Sequence, residues 1–570
     1  MIAPIGLLAG IALSQVMAEP QLMPGWPDTV FSNPGWGWGH GEPILGDVDG
    51  NGDFEVLCGS FDGKVHIWKY DGTYLLGWPQ ATGAPILGSP ALGDVDGDGD
   101  MEVVVCSRKP PYFEGPATIW IWHHTGKLLD GWPKTLRHNP TIYTPSLFDL
   151  DSDGTLEIIV VGNHWRGVNS KVHIFHYNGK IFPGWPQPMD SSLTISASVG
   201  DLDNDGDFEI VSIGYRMIFA WHSDGTLLPN WPIELPKCGA DTKWIFRSYE
   251  SPALADFDQD GDLEIVVGSR RMIPRVTPFM DAWLHVYEHD GKHLQGWPLL
   301  IESIPDPSAA VGDIDQDGDP EIVICDAWDS LHVFHHDGTE LDGFPVYKKS
   351  VFGACISIAD IDGDRDIELI VPSNMVSNGG FLYAFHHDGT LVEGWPLRPP
   401  GFTCYKFPTI ADVDRDGSTN LAFLSQNGPW AVRPNDAYIW LYDLKANYDP
   451  EKVEWGCYSH DVWHTGCYGF QVPLGIEEKY EPQATDYKLR IYPNPFPFST
   501  TIEYTLPCES EVNIEIYDIS GRMTRLLIDG MMESGYHRLN LISKNLPNGI
   551  YFVRFKISDY EETKKLILIQ

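Results

Sequence analysis

Eight copies of one acidic motif, evenly spaced, constrain this chain more than any other feature. They read GDVDGNGDFEV from Gly46, GDVDGDGDMEV from Gly93, FDLDSDGTLEI from Phe148 and GDLDNDGDFEI from Gly200. ADFDQDGDLEI from Ala255, GDIDQDGDPEI from Gly312, ADIDGDRDIEL from Ala359 and ADVDRDGSTNL from Ala411 complete the set. The first aspartates are 47 to 57 residues apart. A second signature keeps step with the first, as in VHIWKYDGTYLLGWP (65–79) and LHVFHHDGTELDGFP (331–345). Repeats of this length mean a propeller or a solenoid. Each unit parses into four short strands: a small-residue strand (SPAL), the acidic loop, an apolar strand (EVVV), a third strand (KVHIWKY), a two-residue turn at Asp-Gly, and a fourth strand (TYLLGWP). The second strand is apolar throughout, as in a sheet covered on both faces. The fold class is therefore all-β: an eight-bladed β-propeller, with seven full blades and one degenerate unit as the alternative. A GWP at 25–27 precedes the first acidic loop, and AYIWLYDL (437–444) and the segment 453–470 end the array. The first and last segments are expected to complete one shared blade.

So much like charge beside buried strands needs a counter-charge. Two unit charges ~4 Å apart repel by about 1 kcal/mol in water and about 4 kcal/mol near a protein surface. Counted from the first aspartate, oxygen-bearing side chains stand at positions 1, 3, 5 and 9, with Gly at 6 supplying a positive φ. The candidate metal ligands are Asp47, Asp49, Asn51 and Glu55; Asp94, Asp96, Asp98 and Glu102; Asp149, Asp151, Asp153 and Glu157; and Asp201, Asp203, Asp205 and Glu209. They continue as Asp256, Asp258, Asp260 and Glu264; Asp313, Asp315, Asp317 and Glu321; Asp360, Asp362, Asp364 and Glu368; and Asp412, Asp414 and Asp416. Oxygen-only ligands select a hard cation, and flexible six- to eight-fold coordination selects Ca2+ over Mg2+. Up to eight calcium sites are expected. Arg365 replaces Gly in the seventh loop and Asn420 replaces Glu in the eighth, so the Asp360 and Asp412 loops should be weakest.

On these motifs, residues 40–430 resemble the FG-GAP/VCBS-type repeats of integrin α-subunit propellers and bacterial surface proteins. The resemblance implies calcium in the loop between strands one and two, on one face of the disc. Insertions in the other loops would emerge on the opposite face. They carry Arg108, Tyr112, Trp165, Arg166, Trp244, Arg247, Arg270, Arg271, Trp430 and Arg433. Arg and aromatic residues anchor binding surfaces, and these are the candidate ligand-binding residues; ordinary loop variation is the competing explanation. Histidine pairs at 123–124, 335–336 and 386–387 read as repeat consensus at the hairpin turns. His460 and His464 would meet only on a helical turn, and the Trp of each GWP reads as a wedge between blades.

The formal net charge is −42, which excludes nucleic acid as a partner. No internal segment is apolar and long enough for a transmembrane helix. Residues 1–18 read as a signal peptide, with a short apolar run before Val16-Met17-Ala18 and no basic residue ahead of it. Cys58, Cys106 and Cys325 end equivalent strands and read as core. Cys457 and Cys467 are candidates for a bridge in an oxidising compartment.

The propeller is expected over 19–470 and a linker over 471–488. Residues 489–570 then form a small Ig-like β-sandwich, with Val512, Ile514 and Ile516 on one face. YPNPFPFSTTIEYTLP (492–507), IYDISGRMTRLL (516–527), PNGIYFVRF (547–555) and KKLILIQ (564–570) resemble the C-terminal sorting domain of the type IX secretion system. That resemblance implies the secretion machinery as a partner and a secreted or outer-surface location in a Gram-negative-type bacterium. The leading expectation is an adhesion or binding module for a protein or polysaccharide. The rivals are a polysaccharide-degrading, lyase-like enzyme and a structural surface-layer component. No nucleophile motif or isolated acid–base pair stands out, so no catalytic residue is assigned.

Overall fold

The computed structural model describes residues 20–568 except 32–40, 110–114, 137–142, 163–169, 191–195, 235–242, 247–250, 273–279, 302–308, 327–329, 349–350, 353–355, 375–379, 402, 404–406, 427–435, 471–488, 493–498, 507–509, 520–521, 533–534, 543–546, 548 and 558–559. The signal-peptide reading of 1–18 and the linker 471–488 lie outside the described residues. The chain divides into two compact units, Met1–Glu477 and Glu478–Gln570. Among the described residues both are all-β, apart from one 3₁₀ turn at Pro450–Lys452.

The first unit is β-propeller-like, a run of antiparallel four- and five-stranded sheets, eight of them among the described residues. The first sheet sets the pattern: Ile44–Gly46, Glu55–Gly59, Lys64–Trp68 and Gln80–Ala81, paired in that order. The second strand is buried along its whole length here and in the next three sheets, because neighbouring sheets cover both its faces. Apolar clusters accordingly span successive sheets. One joins Ile44, Leu57 and Ile67 to Leu92, Val103 and Trp122. Another joins the eighth sheet to the first through Val413, Ala422, Ile439, Leu45 and Val56. Each fully buried aliphatic side chain contributes ~1.5–3 kcal/mol, so the seams between sheets are the core.

The fourth strand differs from expectation. In TYLLGWP only Tyr74 makes a bridge to Trp68, and Leu75 N–H donates to Ile67 O at 3.0 Å. The chain then turns at Gly77-Trp78-Pro79, and the ladder resumes beyond the proline at Gln80–Ala81. Gly77 has φ +94° and Pro79 has no donor, so neither can continue a ladder.

The two ends of the array are used separately. The N-terminal strands Gln21–Leu22 and Asp28–Phe31 pair with Asp436–Asn447, completing the eighth sheet. The segment 453–470 adds no strand beside Asp436–Asn447 and meets the eighth sheet at its innermost strand, where Ile410 N–H donates to Gly456 O at 3.2 Å. After Val453–Trp455 pairs with Ser357–Ala359, the chain passes along the innermost strands of other sheets. Leu92, Leu147, Val199 and Leu254 donate their backbone N–H groups to the carbonyls of Val462, Trp463, Thr465 and Gly466 at 2.8–3.1 Å. Innermost strands have an unpaired edge, and this segment supplies its missing acceptors.

In the second unit, one sheet orders Leu489–Tyr492, Ser499–Leu506 and Gly535–Ile542. The other orders Met523–Met532, Ser510–Asp518, Gly549–Ile557 and Tyr560–Leu568. A single apolar cluster draws Ile502, Tyr504 and Leu541 from one sheet and Val512, Ile514, Ile516, Val553 and Phe555 from the other.

Candidate metal centres

Each acidic loop joins the innermost strand to the buried second strand, and one hydrogen-bond scheme repeats in it. The carboxylate at position 1 accepts the backbone N–H of position 6 at 2.8–3.1 Å in seven loops, from Asp47–Gly52 to Asp412–Gly417. The side-chain Oδ1 at position 5 accepts the N–H of position 7 at 2.7–3.0 Å in all eight. Position 9 reaches back to the N–H of position 2: Glu55, Glu102, Glu157, Glu209, Glu264, Glu321 and Glu368 accept through Oε2 at 2.8–3.0 Å. Asn420 makes the same bond through Oδ1 at 2.7 Å.

In several loops these bonds use one carboxylate oxygen and leave the other without a partner, whereas both oxygens of Asp149, Asp201 and Asp360 accept backbone N–H groups. The Oδ1 atoms of Asp47, Asp94, Asp256, Asp313 and Asp412 at position 1 are buried without a hydrogen-bond partner. So are those of Asp96, Asp203 and Asp414 at position 3, and Oε1 of Glu264. A buried unpaired carboxylate oxygen is costly. The residues at positions 1, 3 and 9 in the first loop, Asp47, Asp49 and Glu55, each offer an oxygen within 4.8 Å of the others. The donor set therefore fits a hard divalent cation. The electrostatics agree: burial first, then the neighbouring aspartates, pushes Glu102 and Glu264 up to about 9 and Glu55, Glu157 and Glu321 up to about 8.

Two positions in the loop carry a left-handed backbone, where one was expected. Position 6 is Gly at φ +83° to +103° in seven loops, the extremes being Gly417 and Gly318. Position 4 is also left-handed, at Ser152, Asn204, Gln259, Gln316 and Arg415 (φ 53–60°). In the seventh loop Arg365 adopts φ +75° and still donates its N–H to Asp360 at 3.0 Å. The loop keeps its geometry despite the missing glycine. In the eighth, Asn420 Oδ1 is taken by the backbone and its Nδ2 has no partner, so no oxygen remains there.

The histidines of the third strand belong to these centres. His123, His176, His222, His335 and His386 place Nδ1 2.9–3.1 Å from Oε1 of the position-9 glutamate. The sequence signal was available: the histidine immediately precedes the turn of the hairpin, which puts it level with the strand's first residue. The second residue of each pair serves the seam. Trp26, Trp78, Trp132, Trp185, Trp231 and Trp297 donate Nε1–H to the carbonyls of Tyr70, His124, Tyr177, Ser223, His289 and His336 in the following sheet at 2.6–2.8 Å. These tryptophans are wedged between sheets.

Of the candidate ligand-binding residues, Tyr112, Trp165, Arg166, Arg247, Trp430 and Arg433 lie outside the described residues. Trp244 stands opposite Arg271 where Lys243–Phe246 pairs with Glu264–Met272, and Arg270 faces Ile245. Arg108 is only 4% exposed, its guanidinium 5.9 Å from the centre of the Tyr143 ring. His460 and His464 have separate partners, Asp461 Oδ2 and Pro145 O, both at 2.9 Å. Cys457 and Cys467 are buried, unbridged thiols, and Cys58, Cys106 and Cys325 are core residues.

Residues 490–570 match the family model of the secretion system C-terminal sorting domain, and residues 47–105 and 201–267 match the FG-GAP-like repeat. The chain thus carries FG-GAP-like repeats and ends in a sorting domain that directs it through the type IX secretion system to secretion or cell-surface attachment. No curated protein sequence matches it. No helix among the described residues is long and apolar enough to cross a membrane. Among solved structures, the V. cholerae biofilm matrix protein Bap1 is similar at TM-score 0.51 and 13% identity, over 80% of this chain and 96% of that one. PorZ, a surface component of the type IX secretion system of Porphyromonas gingivalis, matches at TM-score 0.23 and 11% identity, over 92% and 75%. A GH93 α-L-arabinofuranosidase of Fusarium graminearum matches at TM-score 0.33 and 9% identity, over 75% and 98%. The likeness to Bap1 is one of fold.

Proposed function

We propose that this sorted, FG-GAP-repeat chain is a calcium-binding, eight-bladed propeller that works outside the cell as an adhesion or binding module for a protein or polysaccharide. The observation that carries the calcium reading is the set of buried carboxylate oxygens without partners, repeated at equivalent loop positions. Eight blades are supported by the innermost strands: Ile44–Gly46 lies beside Thr409–Ala411, so the first sheet neighbours the eighth. On this reading the propeller spans 19–470, a linker 471–488 joins it to an Ig-like sandwich at 489–570, and the loops without metal ligands present the recognition surface. Residues Trp244, Arg270 and Arg271 are its nearest described candidates.

Calcium neutralises the acidic loops and stabilises the disc by mass action. Extracellular calcium modules bind at roughly 10⁻⁴–10⁻³ M, so the ion is structural at the cell surface. The test is an array of glycans and extracellular proteins probed with the full chain, with calcium and with chelator. Calcium-dependent binding that falls at least about tenfold (~1.4 kcal/mol) in an Arg270→Glu/Arg271→Glu variant supports the reading. Binding indifferent to both the chelator and the charge reversal overturns it.

A further inference from the structure

One position of the third strand lies directly opposite the glutamate at loop position 9. Register identifies it as His123 for Glu102, His222 for Glu209 and His386 for Glu368. One step beyond the observed pairs, the same count gives Lys69 for Glu55, His176 for Glu157, His335 for Glu321 and Glu288 for Glu264. Six of these seven partners can carry a proton toward the glutamate. In the fifth copy alone, a carboxylate faces a carboxylate.

The consequence is visible in the glutamate itself. Where histidine is opposite, Oε1 has a hydrogen-bond partner at 2.9–3.1 Å. Glu264 is 0% exposed and its Oε1 has none. Oδ1 of Asp256, at the head of the same loop, is also without a partner. Glu288 is half-buried beside these groups, and the charges of Asp258 and Asp260 act on it. Uncompensated acid at this density opens a loop unless a cation occupies it. Calcium takes six to eight oxygens, and its affinity rises with the charge of its ligands.

We propose that Glu288 is an additional metal ligand, joining Asp256, Asp258, Asp260 and Glu264 to make the fifth loop the tightest calcium site of the chain. The inference rests on the calcium reading of the loops and adds a ligand from outside the loop. Glu288 supplies two more oxygens and one more negative charge. Glu264 keeps an oxygen that no histidine competes for. The set contains no nitrogen or sulfur, so it retains the preference for a hard cation.

Calorimetric titration of the full, calcium-stripped chain with calcium tests this, using Glu288→His and Glu288→Gln. The unaltered chain should show one equivalent about tenfold tighter than the rest. Glu288→His, which installs the pair found in five other copies, should move that equivalent into the weaker class. The same variant should melt higher than the unaltered chain in chelator, because a repulsion has gone. A variant that merely damaged the fold would melt lower in both conditions. Multiple equivalents whose tightest member is unchanged in both variants would overturn the role of Glu288 alone. No calcium heat from the unaltered chain would overturn the calcium reading and this inference with it.

Discussion

At the scale of single residues, the acidic loops separate the role of a side chain from that of its backbone. Gly at position 6 reads in the sequence as a conformational requirement, and Arg365 as a break in it. The fold holds Arg365 at φ +75° and keeps its N–H on Asp360. A non-glycine residue in the left-handed region costs roughly 1–2 kcal/mol. The side chain recovers part of this through an ion pair with Asp449 at 3.2 Å, an exposed pair worth about 0–1 kcal/mol. Arg365→Gly is therefore expected to stabilise the first unit by about 0.5–1 kcal/mol, read as a higher urea midpoint at unchanged slope. A lower midpoint would show that the ion pair outweighs the strain. Asn420 teaches the complementary lesson. It preserves the backbone bond of the glutamate it replaces and loses only the oxygen that would face an ion. The sequence marked both positions as deviations, but only the structure says that one keeps the loop's conformation at a cost in backbone strain and the other gives up an oxygen.

At the scale of elements, the segment 453–470 shows what periodicity does not reveal. It has no repeat of its own, and its proximity to the eighth copy suggested a shared blade. The structure instead uses 437–444 for that purpose and runs 453–470 along the open edges of the innermost strands. Asp461 organises this path. Its Oδ1 accepts the N–H groups of Trp463 at 2.8 Å and Thr465 at 3.2 Å, while Oδ2 bonds the Thr465 hydroxyl and His460. Asp461 is buried, and removing it strands several donors. Asp461→Ala should cost about 3 kcal/mol or more, whereas Asp461→Asn, which keeps an acceptor, should cost less. Hydrogen exchange is the direct measurement: in the Ala variant the amides of Leu92, Leu147, Val199 and Leu254 should lose protection together. Unchanged protection there would mean that the segment is not what secures these edges. The Trp wedges were legible, by contrast, because every copy repeats the same Gly-Trp-Pro or its near equivalent, and repetition exposes a shared seam.

For the molecule as a whole, the dominant fact is negative charge gathered in the acidic loops around a buried glutamate. Without metal, the position-9 glutamates are raised well above the usual carboxylate range by burial and by neighbouring aspartates. The folded state then holds more protons than the unfolded state between about pH 4.5 and pH 8–9. Stability consequently falls as pH rises through that window and is greatest toward its acid end. Chelator-treated protein should melt at a lower temperature at pH 8 than at pH 5. Saturating calcium, which favours the ionised carboxylates, should abolish or reverse that slope. Scanning calorimetry at both pH values, with and without calcium, reads the difference; parallel slopes in the two conditions would contradict metal binding at these loops.

The sequence by itself determined the repeating unit, the loop positions that carry the candidate ligands, the wedged tryptophans and the address carried by the tail. Each follows from local rules acting on neighbours in the chain, repeated until the pattern is unambiguous. Tertiary structure alone decided how the array is secured, and strand register shows that the glutamate of the fifth loop faces Glu288 where five others face histidine. Those features depend on register between strands and on contacts across hundreds of residues. There, hydrogen-bond satisfaction and burial, not local propensity, select which partners meet.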